Sequence, residues 1–124
     1  MSSKLESLIK DLRNALGKFE QVMQKEENEY IRDSAIKRFE FTYELAWKTL
    51  RAYLKEKGVR VYTPRDTIRE AFQAGLIDNN PNWMRMVDTR NATSHIYNEA
   101  MAEEVYKTLP VYLPLIKSLV GKLG

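Results

Sequence analysis

The strongest structural signal in this 124-residue chain lies in Phe39-Glu40-Phe41-Thr42-Tyr43-Glu44-Leu45-Ala46-Trp47-Lys48. This stretch falls inside a helix predicted over about residues 31–57, because apolar side chains recur there at spacings of three and four. Three further apolar residues, Phe41, Leu45 and Ala52, lie outside that stripe. A helix that is apolar on two sides lies at the centre of a bundle or in an interface. The stripe itself consists of Ile36, Phe39, Tyr43, Ala46, Trp47, Leu50 and Leu54.

The flanking sequence predicts another helix before this one and marks where this one ends. Residues 3–26 carry an apolar stripe at helical spacing, which predicts a first helix there. Gly58 stands where the second helix needs a left-handed C-terminal cap. Residues 59–62 alternate and are compatible with a short extended segment, but no sheet is expected. The stripe of the first helix is Leu5, Leu8, Ile9, Leu12, Leu16, Phe19 and Met23.

Two pairs of residues mark the starts of later helices. Thr63-Pro64 predicts an N-cap and the first residue of a short third helix that ends at Gly75. Asn80-Pro81 repeats this pattern and predicts a fourth helix.

A fifth helix is predicted to follow a cap at Asn98. Pro110 and Pro114 each remove a backbone donor from it, so a kink or local irregularity is expected there. Long helices with short connections predict an all-α, antiparallel bundle of four to five helices, in a single domain over residues 1–124. The apolar stripe of this helix is Val105, Leu109, Tyr112, Ile116, Leu119 and Leu123.

The composition excludes several classes of protein. With no cysteine and one histidine, the chain lacks the residues for a disulfide framework or a thiolate metal site, and a zinc site is not expected. No cofactor is predicted. The N-terminus does not resemble a signal peptide, and no apolar run reaches the roughly 18 residues of a membrane span. We therefore expect a cytoplasmic protein without membrane association.

The basic residues are unevenly placed. The net charge is +3, and residues 30–75 hold ten basic against six acidic side chains, which accounts for the excess. One interpretation is a solvated helix end and loop. The other is a rim that attracts the phosphates of RNA, since clustered cations concentrate a polyanion. The candidate rim residues are Lys48, Arg51, Arg65 and Arg69.

The strongest functional signal is Arg90-Asn91-Ala92-Thr93-Ser94-His95-Ile96-Tyr97. Imidazole titrates near neutrality, so proton transfer is expected to run through His95. A guanidinium has donors that suit a phosphate, and an Arg–His pair needs no metal to cleave RNA. The competing interpretation of Arg90 is structural, as an ion pair with Asp88 or with a carboxylate of another helix.

The spacing of the two residues limits how they act together. On one unbroken helix, Arg90 and His95 would be separated by about 140° and about 7.5 Å, so their side chains would diverge. Either the helix ends near residues 93–94, or two copies of the motif meet across the two-fold axis of a homodimer.

The motif resembles the R-x4-H-x-Y motif of HEPN-domain toxins. Two further segments, residues 39–48 and 64–77, look like the branch called nucleotidyltransferase substrate-binding proteins (HepT-like). The resemblance covers about residues 5–120. It implies a HEPN-like homodimer with the motif in a cleft between subunits, and a minimal nucleotidyltransferase as the partner.

The resemblance also implies roles for single residues. Arg90 would bind the scissile phosphate, and His95 would act as general acid or base. Asn91 would bind the ribose or orient His95, unless it is a simple surface residue. Tyr97 matches a tyrosine that the partner transferase modifies with AMP, whose charge would block RNA; the alternative is a packing tyrosine.

These observations favour the helical subunit of a two-component toxin–antitoxin pair, acting as a metal-independent endoribonuclease toxin. The alternative is a non-catalytic subunit that binds a nucleotide or substrate for the transferase, and a third possibility is a plain helical scaffold. The chain has no Gly-rich phosphate loop and no Asp-x-Asp motif, so it is not expected to be the transferase itself.

Overall fold

A computed structural model of the chain describes residues 2–124. These residues contain no strand, and residues 59–62 do not pair with another segment to form a sheet. The predicted all-α class is therefore confirmed. The elements are α1 (Ser3–Met23), α2 (Glu29–Glu56), α3 (Pro64–Gln73), α4 (Asn82–Ala92), a 3-10 turn (Thr93–His95) and α5 (Glu99–Leu123).

The helices pack around α2. Ser2 donates its backbone N–H to Glu56, which joins the start of α1 to the end of α2 and shows that these helices are antiparallel. At the other side of α2, Phe39 stacks on Tyr112 of α5 with ring centroids 5.7 Å apart. The shared core is formed by Leu12, Phe19, Phe39, Leu50, Leu109, Ile116 and Leu119.

Helices α2 and α5 run in the same direction. Arg32, near the start of α2, lies 3.9 Å from Glu103, near the start of α5, and Phe39 and Tyr112 meet further along both helices. The intervening chain, which contains α3 and α4, is long enough to return to the end where α2 began. The antiparallel prediction therefore holds for α1 and α2 but not for α2 and α5.

Capping residues explain most of the helix boundaries. Asn28 Oδ1 accepts from the N–H of Ile31 at 2.8 Å, so α2 begins at Glu29, two residues before the predicted start. Gly58 has a φ of 84°, and the N–H of Val59 donates to Leu54 O at 2.8 Å. This is the predicted left-handed cap, because glycine adopts that conformation without strain. The first helix ends at Met23, three residues earlier than predicted.

The caps of α3 and α5 fall on the predicted residues, whereas the N-cap of α4 is Pro81 and not the predicted Asn80. Thr63 Oγ1 accepts from the N–H of Asp66 at 3.2 Å, and Asn98 Oδ1 accepts from that of Met101 at 2.9 Å. Asn80 Oδ1 accepts from the N–H of Asn82 at 2.9 Å. Helix α4 begins at Asn82, so Pro81 precedes its first residue rather than occupying it.

Helix α5 continues without a break through both of its prolines, Pro110 and Pro114. Burial of its apolar stripe, which includes Leu109 and Ile116, offsets the hydrogen bonds that the prolines remove. In the described part of the chain, no helix combines the length and apolarity needed to cross a membrane.

Candidate functional site

The Arg–His motif lies where α4 changes into the 3-10 turn. The α-helix ends at Ala92 and His95 is the last residue of the turn. Thr93 stabilises this junction, since its hydroxyl donates to Arg90 O at 2.7 Å and accepts from Arg90 Nη1 at 2.9 Å. The α-helix therefore ends close to residues 93–94, which is one of the two arrangements that the spacing allowed, and His95 does not occupy a regular α-helical position.

Arg90 is held between α4 and α2 by two carboxylates. Its Nη1 lies 3.2 Å from Glu40 Oε2, and its Nε lies 3.6 Å from Glu44 Oε1. The arginine side chain is 25% exposed. The prediction of an ion pair with another helix is thus confirmed, but Asp88 is not the partner, because Asp88 pairs with Arg65 of α3.

The protein holds one nitrogen of the Arg90 guanidinium, while another nitrogen makes no hydrogen bond with residues 2–124. Nη1 is engaged by Glu40 and Thr93, whereas Nε is buried without a hydrogen bond. The remaining nitrogen of Arg90, Nη2, makes no hydrogen bond with residues 2–124 and is not among their buried unpartnered atoms. An arginine in this state has donors left for an anion while its orientation is already set.

His95 and Tyr97 form an exposed pair. The Nδ1 atom of His95 lies 3.2 Å from the hydroxyl of Tyr97, and both side chains are exposed. Asn91 is exposed as well. Among residues 2–124, no hydrogen bond links Arg90 to His95. Within one chain, the structure therefore brings His95 together with Tyr97 and Arg90 together with two glutamates.

A groove of about 360 Å³ adjoins His95 between the end of α4 and the first half of α5. Its walls include the apolar side chains of Ile96, Met101 and Val105. The hydroxyls of Thr89 and Thr108 and the carboxylate of Glu104 also line it.

The four predicted rim cations each have a neighbour on the protein. Lys48 lies 3.8 Å from Glu44, and Arg51 lies over the ring of Trp47 at 4.8 Å from its centroid. Arg65 pairs with Asp88, and Arg69 lies 2.7 Å from Asp66. Because Glu44 contacts both Arg90 and Lys48, part of this basic surface is continuous with the motif.

The aromatic residues near the site are mainly structural. Tyr43 and Trp83 are buried, while Trp47 is half-buried and donates its Nε1–H to Glu44 at 3.2 Å. Burial, together with the charge of Glu44, raises the pKa of Tyr43 to about 12, although Arg90 opposes this shift. The phenol of Tyr43 therefore stays protonated and neutral next to the charged cluster.

Sequence reasoning missed Glu40 and Glu44, the two residues that hold Arg90. The available signal was their i,i+4 spacing, which places both carboxylates on one face of α2. No group of three or more histidine, cysteine, aspartate or glutamate side chains within residues 2–124 is arranged to hold a metal ion.

Comparison with known proteins gives consistent matches. Residues 7–124 match the family described as nucleotidyltransferase substrate binding protein like. The chain is 36% identical over 84 residues to a Haemophilus influenzae protein named probable ribonuclease HepT. That match covers 64% of this chain and 58% of the relative, so the chain spans less than two thirds of the relative's length.

Three solved structures share the fold. A Thermus thermophilus protein has a TM-score of 0.84 and 36% identity, covering 90% of this chain and 98% of its own. A Haemophilus influenzae protein, described as revealing the fold of a substrate binding domain of a nucleotidyltransferase, has a TM-score of 0.71 and 26% identity, covering 96% of both chains. A tri-AMPylated Shewanella oneidensis HEPN toxin, solved with an MNT antitoxin, has a TM-score of 0.77, covering 99% of this chain and 98% of its own. At 18% identity, this third likeness concerns the fold alone.

Proposed function

The chain belongs to the family of nucleotidyltransferase substrate binding protein-like proteins, and we propose that it is the toxin of a two-component pair, a metal-independent endoribonuclease. Its antitoxin is a small nucleotidyltransferase. The observation that carries the proposal is the state of Arg90, which is anchored by Glu40 while Nη2 remains free of hydrogen bonds with residues 2–124. The name of the Haemophilus influenzae relative, a probable ribonuclease, supports the same activity.

In the proposed reaction, Arg90 binds the scissile phosphate and His95 transfers a proton. The ribose 2′-hydroxyl gives its proton to a base as its oxygen forms a bond to phosphorus, the bond from phosphorus to the 5′-oxygen breaks, and a proton passes from an acid to that leaving oxygen. Imidazole acts as base in the first event or as acid in the second. The guanidinium stabilises the charge that develops on the phosphoryl oxygens. Asn91, which is exposed on α4, binds the ribose or orients the histidine.

A homodimer would complete this site. Each chain has one histidine, whereas cleavage needs both a base and an acid. Two copies related by a two-fold axis would place two imidazoles in one cleft. The proposed interface includes the outer face of α2, where Phe41 is 48% exposed, and the segment around residues 83–97. The rim of Lys48, Arg51, Arg65 and Arg69 would then attract the flanking phosphates.

The test uses a labelled single-stranded RNA of mixed sequence and the purified full chain. We expect Arg90→Ala and His95→Ala each to reduce cleavage by at least about a hundredfold, with the helical circular dichroism unchanged. Cleavage is expected to persist in EDTA. Arg13→Ala is the matched control, because Arg13 is an exposed arginine of α1 that lies outside both the proposed interface and the rim. Full activity in His95→Ala, or loss of cleavage on chelation, would overturn the proposal.

The second candidate is a non-catalytic subunit that binds a nucleotide for the transferase. The groove beside His95 favours it, since its volume suits a small ligand. The description of one relative as a substrate binding domain of a nucleotidyltransferase supports it too. If nucleotides bind at Arg90 but RNA is never cleaved, this function replaces the first.

A further inference from the structure

The groove beside His95 has a lining that suits a nucleobase better than a phosphate. Its volume of about 360 Å³ lies within the usual range of about 300–1,000 Å³ for ligand pockets. Apolar walls suit the faces of a flat ring, and a carboxylate repels phosphate while accepting from the N–H groups of a base.

The polar groups of the groove that can still bind a ligand are mostly hydrogen-bond acceptors. Thr108 donates its hydroxyl hydrogen to Val105 O at 2.6 Å, so the oxygen has only lone pairs left to offer. The hydroxyl of Thr89 already shares a hydrogen bond of 2.7 Å with Tyr112.

Glu104 is the acceptor without a protein partner. Within residues 2–124 its carboxylate forms neither an ion pair nor a side-chain hydrogen bond. The second acidic residue of the groove, Asp88, is neutralised by Arg65. Glu104 is therefore the groove carboxylate with both oxygens free of partners within residues 2–124, whereas Asp88 is paired through Oδ1, and Glu104 shares the groove with His95.

We propose that this groove is a nucleobase subsite that selects guanine through Glu104. The two oxygens of a carboxylate accept the two parallel N–H groups at N1 and N2 of guanine. Adenine and cytosine place a ring-nitrogen acceptor beside their amino group, and uracil places carbonyls on both sides of N3–H. Each of these bases would set a lone pair against the second carboxylate oxygen. The inference rests on the proposed function only for the link to RNA, where it predicts cleavage next to guanine.

The test is a titration of the full chain with nucleosides. Binding is monitored through the backbone amide NMR signals of Ile96, Met101 and Val105. Nucleosides are used because they lack a phosphate that Arg90 would bind. We expect guanosine to bind at least about tenfold more tightly than adenosine, cytidine or uridine. Glu104→Gln removes this preference, because the amide replaces one acceptor with a donor.

Glu103→Gln is the matched control, since the neighbouring carboxylate faces Arg32 at 3.9 Å and does not line the groove. Equal binding of the four nucleosides, no nucleoside binding, or a guanosine preference that survives Glu104→Gln would overturn the inference. Nucleoside binding needs no cleavage, so the outcomes separate. If the chain selects guanosine but cleaves no RNA, only the proposed ribonuclease function is contradicted. If the chain cleaves RNA but selects no nucleoside, only the proposed guanine subsite is contradicted.

Discussion

Nη1 of Arg90 lies 3.2 Å from a carboxylate oxygen of Glu40, so the guanidinium on α4 is fastened to α2. Thr93 holds the same nitrogen from the other side at 2.9 Å. The orientation of the guanidinium is therefore already set in the free chain, and less rotational freedom would be lost on binding the phosphate that we propose as its ligand. The two glutamates also balance the charge of a partly buried arginine, whose isolated burial would be unfavourable.

Glu40→Ala is expected to lower kcat about tenfold with little change in KM, because Arg90 is misplaced while its charge remains. The free energy of unfolding is expected to fall by about 1 kcal/mol, since the pair is partly screened by solvent. Steady-state cleavage and urea unfolding measure the two effects. Glu20→Ala is the control, because Glu20 also lies 3.2 Å from a cation, Lys117, on another surface. An unchanged kcat in Glu40→Ala would contradict a positioning role.

Local signals account for the parts of the fold that could be predicted. Caps at Thr63 and Asn98 and the left-handed Gly58 depend on residues within a few positions, so the sequence carries them directly. The direction of α5 relative to α2 depends on the path of the chain between them, which no periodicity encodes. The family resemblance drawn from the motif is confirmed by the match over residues 7–124.

At the candidate site too, local sequence signals did not predict contacts between distant parts of the chain. Arg90 and His95 stand out by residue type and spacing, but the partner of Arg90 is Glu40, fifty positions earlier in the chain. Asp88 was a poor choice of partner, because residues two apart on a helix do not face each other. It lies on the side of α4 that meets Arg65. Long-range ion pairs need the packing of helices, which spacing alone does not supply.

The chain is expected to be a dimer in solution. Phe41→Glu would place a charge on the outer face of α2 and is expected to yield a monomer, because burying an unpaired carboxylate in an apolar interface is strongly unfavourable. Sedimentation equilibrium at micromolar concentration measures the mass. Phe72→Glu is the control, since Phe72 is 40% exposed against 48% for Phe41 and lies on α3. A monomeric native chain would contradict the prediction.

Tyr43 is expected to be the last phenol to ionise on alkaline titration. Burial raises its pKa from the ordinary 10.0 to about 12, so the folded state retains this proton when the unfolded state has lost it. The contribution to stability is therefore present below pH 10 and is lost as the pH rises towards 12. Ultraviolet titration of Tyr43→Phe is expected to lack the final step, whereas Tyr62→Phe, which removes an exposed phenol, is expected to keep it. Loss of an early step from Tyr43→Phe would contradict this.

Tyr97 is expected to accept AMP from a cognate nucleotidyltransferase. Its hydroxyl oxygen would bond to the α-phosphorus of ATP, pyrophosphate would leave, and the phenolic proton would be lost. The adduct is expected to suppress cleavage, because the hydroxyl lies 3.2 Å from His95 and the added phosphate would repel RNA. Mass spectrometry after incubation with the transferase and ATP locates the modification.

Exposure alone does not choose Tyr97, at 77%, over Tyr62 at 76% or Tyr30 at 82%, so those two residues serve as internal controls. The adduct is expected to disappear in Tyr97→Phe, and an adduct elsewhere, or none with an active transferase, would leave Tyr97 as a hydrogen-bonding neighbour of His95 only.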